Sequence, residues 1–322
     1  MNRLAQGFRC LLASALVLFV AALASGQQPS ASESKKPYRL PVQGVMEGAT
    51  AHPRADESVS RHNVVELLAV DGGFDWAKNA TFRRDVWNLK FEYKPLRMVW
   101  IDMPQPSGKL QRKAVYYLVY SVTNVPVADQ KTDPPRYGWM HPVQDEEDQY
   151  RHKIEYQDRP IRFVPEFLLE SPEYGKAYSD RMIPLAMAAI RQREDRVPPA
   201  WAAGKDKTTR REPLRSAVEM TAEIPVGKTV WGVATWEEVD PRIDRFVIYV
   251  QGLTNAYRWT DLPEKYKPGV TRSTYRKILL KTLRLNFWRP GDEFYPEEAE
   301  IRRGYPGKTD YEWIYLPSLA PE

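Results

Sequence analysis

Residues Ala114–Asn124 read AVYYLVYSVTN, a run of β-branched and aromatic side chains that favours an extended strand over a helix. It follows Leu96–Asp102 (LRMVWID) across the Pro- and Gly-bearing loop MPQPSGKLQRK, the pattern of a strand, a loop and a returning strand. A second such unit follows later. Thr229–Glu237 (TVWGVATWE) leads through EVDPRIDR into Phe246–Asn255 (FVIYVQGLTN). From Val64 onward the runs are short, and most of the chain's 27 prolines and 17 glycines stand among them. The expected fold class is therefore mainly β, with many loops.

The two units correspond at one offset, since 230 − 99 and 254 − 123 both give 131. Val99–Trp100 then matches Val230–Trp231, and Thr123–Asn124 matches Thr254–Asn255. Val119 matches Val250, and Glu92 matches Glu223. The expected architecture is two β-sandwich (Ig-like) domains related by duplication, 63–195 and 214–322. The Pro- and charge-rich segment 196–213 would be the linker. One helix is expected over Met182–Arg193, capped by Ser179 or Asp180, with Pro184 in its first turn and Met187 and Ile190 on its apolar side. Tyr275–Trp288 (YRKILLKTLRLNFW) fits both periods, and its second half alternates as a strand.

The first residues set the compartment. Arg3 and Arg9 precede the apolar run Leu11–Leu23, and small residues follow at Ala22, Ala24 and Gly26. This is the pattern of a secretory signal peptide spanning 1–26. The alternative is an uncleaved anchor, although the run is short for a spanning helix, which needs about 20 residues. Residues 27–62, rich in Ser, Pro, Ala and Glu, read as a flexible tether. The expected location is secreted or periplasmic. Cys10, the single cysteine, lies inside the leader, so a cysteine-free mature chain has no disulfide, thiol nucleophile or cysteine metal site. The formal net charge is +5, and Arg3 and Arg9 contribute two of those charges. The remainder, interleaved with acids, gives no reason to expect a nucleic-acid partner.

Several motifs bear on chemistry. Ala222–Thr229 (AEIPVGKT) has the spacing of a phosphate loop, but Pro225 and strand-forming Val230 and Trp231 occupy places where such a loop needs glycine and a following helix. The stretch is expected to be a tight turn entering a strand, with no nucleotide bound. The acidic run Asp145–Asp148 has no glycine and no alternating ligand positions, and the four histidines show no zinc-type pairing. No metal and no cofactor is expected. Asn79-Ala80-Thr81 matches a glycan acceptor pattern. Glu237, Glu238, Asp240 and Asp244, in the loop of the second unit, are the candidate catalytic carboxylates of a sugar-cleaving enzyme. Trp236, Tyr257 and Trp259 are the candidate ligand-binding rings, suited to stacking on sugars.

With the leader, the stretch VWGVATWEEVDPRIDRFVIYVQGLTNAYRW resembles uncharacterised exported proteins of planctomycete bacteria. The likeness implies habitat and carries no mechanism. Three roles follow from these residues. The first is a non-catalytic binding or scaffolding protein of the cell envelope, with a polysaccharide or an envelope protein as partner. The second is a carbohydrate-active hydrolase, and the third a structural component that assembles through edge strands.

Overall fold

The structure is a computed structural model that describes residues 46–52, 57, 84–144, 152–194, 214–269, 271, 275–289, 301–305 and 307–319. The expected leader, most of the tether, Asn79–Thr81, Asp145–Asp148 and the linker 196–213 lie outside the described residues. The chain divides into Met1–Arg39 and Leu40–Glu322, and every described residue belongs to the second unit.

The fold is mainly β. One sheet runs in the order β1 (Glu47–Ala49), β3 (Lys90–Tyr93), β5 (Leu110–Thr123), β13 (Thr229–Glu237), β11 (Arg215–Ser216), with β4 (Arg97–Pro104) also on β5. The other runs β10 (Lys176–Ser179), β9 (Glu166–Ser171), β14 (Arg245–Gln251), β16 (Arg276–Trp288), β15 (Tyr257–Asp261). Strands β17 (Arg302–Arg303) and β18 (Tyr311–Leu316) also pair with β16. Two small sheets join β2 (Val86–Asn88), β6 (Gly138–Gln144) and β7 (His152–Gln157), and β8 (Ile161–Phe163) with β12 (Ala222–Ile224).

The large sheets pack face to face. Tyr116, Leu118, Tyr120 and Val122 of β5 meet Phe167, Phe246, Leu285 and Phe287 of the second sheet in one core. Ring pairs cross the interface, with Tyr120 4.8 Å from Phe167 and Tyr116 5.5 Å from Phe246 between centroids. The odd positions of β5 face the other way. Val115, Tyr117 and Val119 pack under helix α1 (Pro184–Glu194), against Ile183, Met187 and Ile190. Strand β5 is thus buried on both faces over most of its length, which explains why AVYYLVYSV lacks polar alternation.

The expected helix forms with Pro184 as its first residue, where a missing N–H costs nothing. Asp180 does not cap it. Its Oδ1 instead accepts the backbone N–H of Thr235 at 2.7 Å. The far end is fixed by charge: Glu194 is buried beside Lys94 and Arg97 and accepts the Tyr117 hydroxyl at 2.9 Å. Tyr275–Trp288 resolves to strand from Arg276 onward, because β16 has partners along its whole length.

The first expected hairpin is present, with Arg97 opposite Tyr117 and Pro104 opposite Leu110. The second is corrected. Strands β13 and β14 lie in different sheets, so EVDPRIDR is an arch that crosses the core. Glu238 takes a positive φ of 58°, and Val239 and Ile243 turn inward and are buried. The buried Arg289 side chain bonds the carbonyls of Pro241 at 2.6 Å and Ile243 at 3.1 Å, which holds the arch. Strand β13 pairs instead with β5, from Thr229 opposite Thr123 to Glu237 opposite Val115. Strand β14 pairs with β9. Strands of 63–195 and 214–322, expected to build separate sandwiches, therefore stand side by side within both large sheets, joined at β5–β13 in one and at β9–β14 in the other.

AEIPVGKTVW forms the turn its composition suggests. Lys228 N–H bonds the carbonyl of Pro225 at 3.1 Å, and Gly227 adopts a φ of 76° while donating to Asn124 O at 2.7 Å. Strand β13 follows directly.

Candidate functional site

The four candidate carboxylates do not converge. Glu237 pairs with Arg181 at 3.0 Å, and exposed Glu238 pairs with Lys113 at 2.8 Å. Asp240 accepts from Lys176 at 2.7 Å and from Arg242 at 2.8 Å. The hydrogen bond from Lys113 lowers the Glu238 pKa, and those from Arg242 and Lys176 hold Asp240 well below the usual carboxylate range. Burial, helped by the charge of Glu173, pushes Asp244 up. None of the four lines either cavity described below. As arranged, Glu237, Glu238 and Asp240 anchor the arch rather than flank a scissile bond.

The candidate rings separate as well. Trp236 is fully buried in the core between the sheets, so it presents no surface to a ligand. Tyr257 and Trp259 lie together on β15, half-buried, with centroids 6.3 Å apart and planes tilted by 42°. Arg84 stacks on Tyr257 at 3.4 Å, and Arg276 on Trp259 at 4.9 Å.

A second aromatic pair was not singled out from sequence. On β6, Trp139 and His141 share one face because they are two residues apart, while Met140 turns to the small core with Val86 and Ala256. Trp139 stands opposite Trp87 of β2 and Gln157 of β7. The two indoles, half-buried against the edge of the main core, lie 6.3 Å apart and are tilted by 58°. Polar groups border them: His141 Nδ1 is 2.7 Å from Asp85 Oδ1, and Arg159 lies over Trp139 at 5.8 Å.

Two asparagines hold this region in place. Asn255 accepts from Trp87 N–H at 2.8 Å and donates to Asp85 O at 3.0 Å, tying β2 to the segment before β15. Asn124 donates to Arg159 O at 2.9 Å. Arg84 and Asp85, adjacent in sequence, reach one to each aromatic pair, since Arg84 also donates to Tyr257 O at 2.7 Å. Trp87, Trp139, Tyr257 and Trp259 thus form two linked pairs, each with a guanidinium against a ring and hydrogen-bonding side chains beside it.

Two cavities complete the candidates. A cleft of about 730 Å³ is bordered by Tyr311, Trp313, Tyr315 and Lys281. Its polar tips are engaged within the chain: Lys281 and the Tyr315 hydroxyl each lie 2.6 Å from Glu57, and Trp313 donates to Thr50 O at 3.0 Å. A smaller cavity of about 260 Å³ is bordered by Asp180, Glu166, Phe167 and Thr235. Burial pushes the Asp180 carboxyl up to about 6, against the backbone N–H groups of Thr235 and Arg181.

A raised carboxyl pKa has a definite sign. The folded state holds the Asp180 proton more tightly than the unfolded chain, so this group's stabilisation is full below its ordinary value of 3.8 and is lost as pH rises through about 6. Relative to Asp180→Asn, the wild type is expected to lose about 2–3 kcal/mol between pH 4 and pH 7. Urea unfolding of both proteins across that range checks it, and parallel stability curves would contradict it.

Among the described residues no group of three or more His, Cys, Asp or Glu side chains is placed to hold a metal ion. No described helix is long and apolar enough to cross a membrane. No protein-family model, curated protein or solved structure matches the chain.

Proposed function

We propose that the protein is an exported, non-catalytic binding protein of the cell envelope that takes polysaccharide on the paired rings Trp87–Trp139 and Tyr257–Trp259. One observation carries the reading: two pairs of partly exposed rings, one across β2 and β6 and one along β15, are tied together through Arg84 and Asn255, with Asp85, His141 and Arg159 beside the first. Sugar rings offer an apolar face for stacking and hydroxyls for such polar groups. The leader-like first residues supply the export. The hydrolase reading loses its support because three of its four carboxylates, Glu237, Glu238 and Asp240, are held in separate ion pairs. The 131-residue correspondence fits a shared local task better than separate domains, since Asn124 and Asn255 each clamp a neighbouring backbone at a strand end.

Trp139→Ala and Trp259→Ala are expected to weaken binding to a retained polysaccharide about tenfold or more each, the scale of a central interface tryptophan. Affinity electrophoresis in gels containing neutral or acidic polysaccharides measures this, with far-ultraviolet circular dichroism confirming the fold. Unchanged retardation of both folded variants in a gel that retards the wild type would refute the assignment. So would the absence of retardation of the wild type in every gel.

A further inference from the structure

The cavity beside Asp180, separate from the aromatic pairs, places two carboxylates in a largely apolar wall. It lies at the edge of β13, where β11 ends and the segment Asp180–Arg181 takes over the edge hydrogen bonds. Two carboxylates border it, Asp180 and Glu166, and none of the described residues lining it is Lys, Arg or His. Glu166 Oε2 is buried and has no hydrogen-bond partner. The neighbouring base is turned away, since Arg181 is largely exposed and pairs with Glu237.

A third polar group points the same way. Tyr120 is fully buried, and its hydroxyl has no partner. A Cβ at Gly232 would lie 2.6 Å from that hydroxyl oxygen, so the ring lies across Gly232, whose lack of a side chain makes room for it. Gly232 pairs with Arg215 at the strand edge that borders the cavity, and Phe167, which lines it, packs on the Tyr120 ring. Burial and then the charge of Asp180 raise the Tyr120 pKa. The site thus has two carboxylates in its wall, with the Tyr120 hydroxyl behind that wall in the main core. Buried carboxylates without a counter-charge are costly, and a bound cation removes that cost.

The remaining wall chooses the kind of cation. Phe167, Met182, Val218, Val233 and Leu319 are apolar, and of the hydroxyls beside them those of Ser216 and Thr235 already donate to Glu219 and to the Arg181 carbonyl. A hard divalent ion takes about six to eight oxygen ligands, whereas most of the side chains lining this cavity are apolar. We propose that this cavity binds a primary ammonium group on a short apolar stem, with Asp180 and Glu166 accepting its N–H donors. Ammonium binding is independent of the polysaccharide reading and can fail or succeed without it.

Calorimetric titration of the full chain with n-butylammonium chloride at pH 7.5 tests the assignment, with n-butanol as the neutral isostere and calcium chloride as the inorganic cation. Saturable binding of butylammonium is expected, with affinity about tenfold or more lower in Asp180→Asn and in Glu166→Gln, the scale of a charged hydrogen bond. The amide of Asp180→Asn can still accept from Thr235, and Glu166→Gln gives a second reading should the first variant unfold. Nα-acetyl-lysine methylamide separates the two sources of this chemistry. Equal binding of it points to a lysine side chain of a partner, and exclusion of it points to a free amine. Absence of butylammonium binding overturns the proposal. So does equal binding of butanol, equal affinity in folded variants, or binding of calcium alone.

Discussion

Glu194→Ala is expected to destabilise the fold by about 3–5 kcal/mol, the cost of removing one partner from a buried ion pair. Glu194 closes the last turn of α1 over the first sheet, where its side chain and that of Lys94 are almost completely buried. Arg97 shares the carboxylate, and the Tyr117 hydroxyl donates to it from the centre of β5. Truncation leaves two buried cations without this carboxylate and a phenol without this acceptor. Burial alone would raise the Glu194 pKa, but the hydrogen bond and charge of Lys94, with Arg97 and Tyr117, bring it below its ordinary value of 4.5. The resulting stabilisation is present above that value and is lost as pH falls through the folded-state pKa. Glu194→Gln keeps the shape and one acceptor, so it is expected to cost less than alanine. Urea unfolding at pH 7 orders the three proteins, and an alanine variant within about 0.5 kcal/mol of wild type, the ordinary range of a surface change, would contradict this account.

Trp236→Ala is expected to cost a similar amount, about 3–5 kcal/mol, the usual range for removing a buried tryptophan. The ring is among the largest fully buried side chains and lies opposite Tyr116 in the core between the sheets. Few neighbours can collapse into the space, because Tyr116 is held by the guanidinium of Arg289 at 3.1 Å, which also bonds the arch. The loss should appear entirely in stability. At a temperature where the variant remains folded, its affinity for polysaccharide is expected to match the wild type. Equal unfolding midpoints with reduced affinity would reverse the assignment and restore Trp236 to the ligand surface.

That reassignment shows where the sequence was legible. Trp231 and Trp236 are separated by five positions on one strand, so they must face opposite ways. Nothing local says which face is covered, and here both are. Trp231 packs beside the α1 cluster and Trp236 enters the main core. The β4–β5 hairpin, the Gly227 turn and the helix starting at Pro184 were readable because their signals are local. The arch was misread as a hairpin because Asp240–Pro241 marks a turn equally well within a sheet and between sheets. Its carboxylates looked clustered for the same reason. Arg242 lies inside EEVDPRID, but the partners Lys113 on β5 and Lys176 and Arg181 on and just after β10 come from elsewhere, and no spacing within that stretch reveals them. Trp87 and Trp139 stood too far apart in the chain to be linked before the β2–β6 register was known. The Trp-x-His alternation on β6 was the one local hint.

Titration of indole N–H signals in ¹H–¹⁵N spectra of the full chain, using fragments of a polysaccharide retained in the gels, tests the aromatic-pair assignment most directly. The signals of Trp87, Trp139 and Trp259 are expected to shift together and saturate at one ligand concentration, while that of buried Trp236 stays still. Shifts centred on Trp236, or saturable binding that leaves Trp87, Trp139 and Trp259 unmoved, would contradict it.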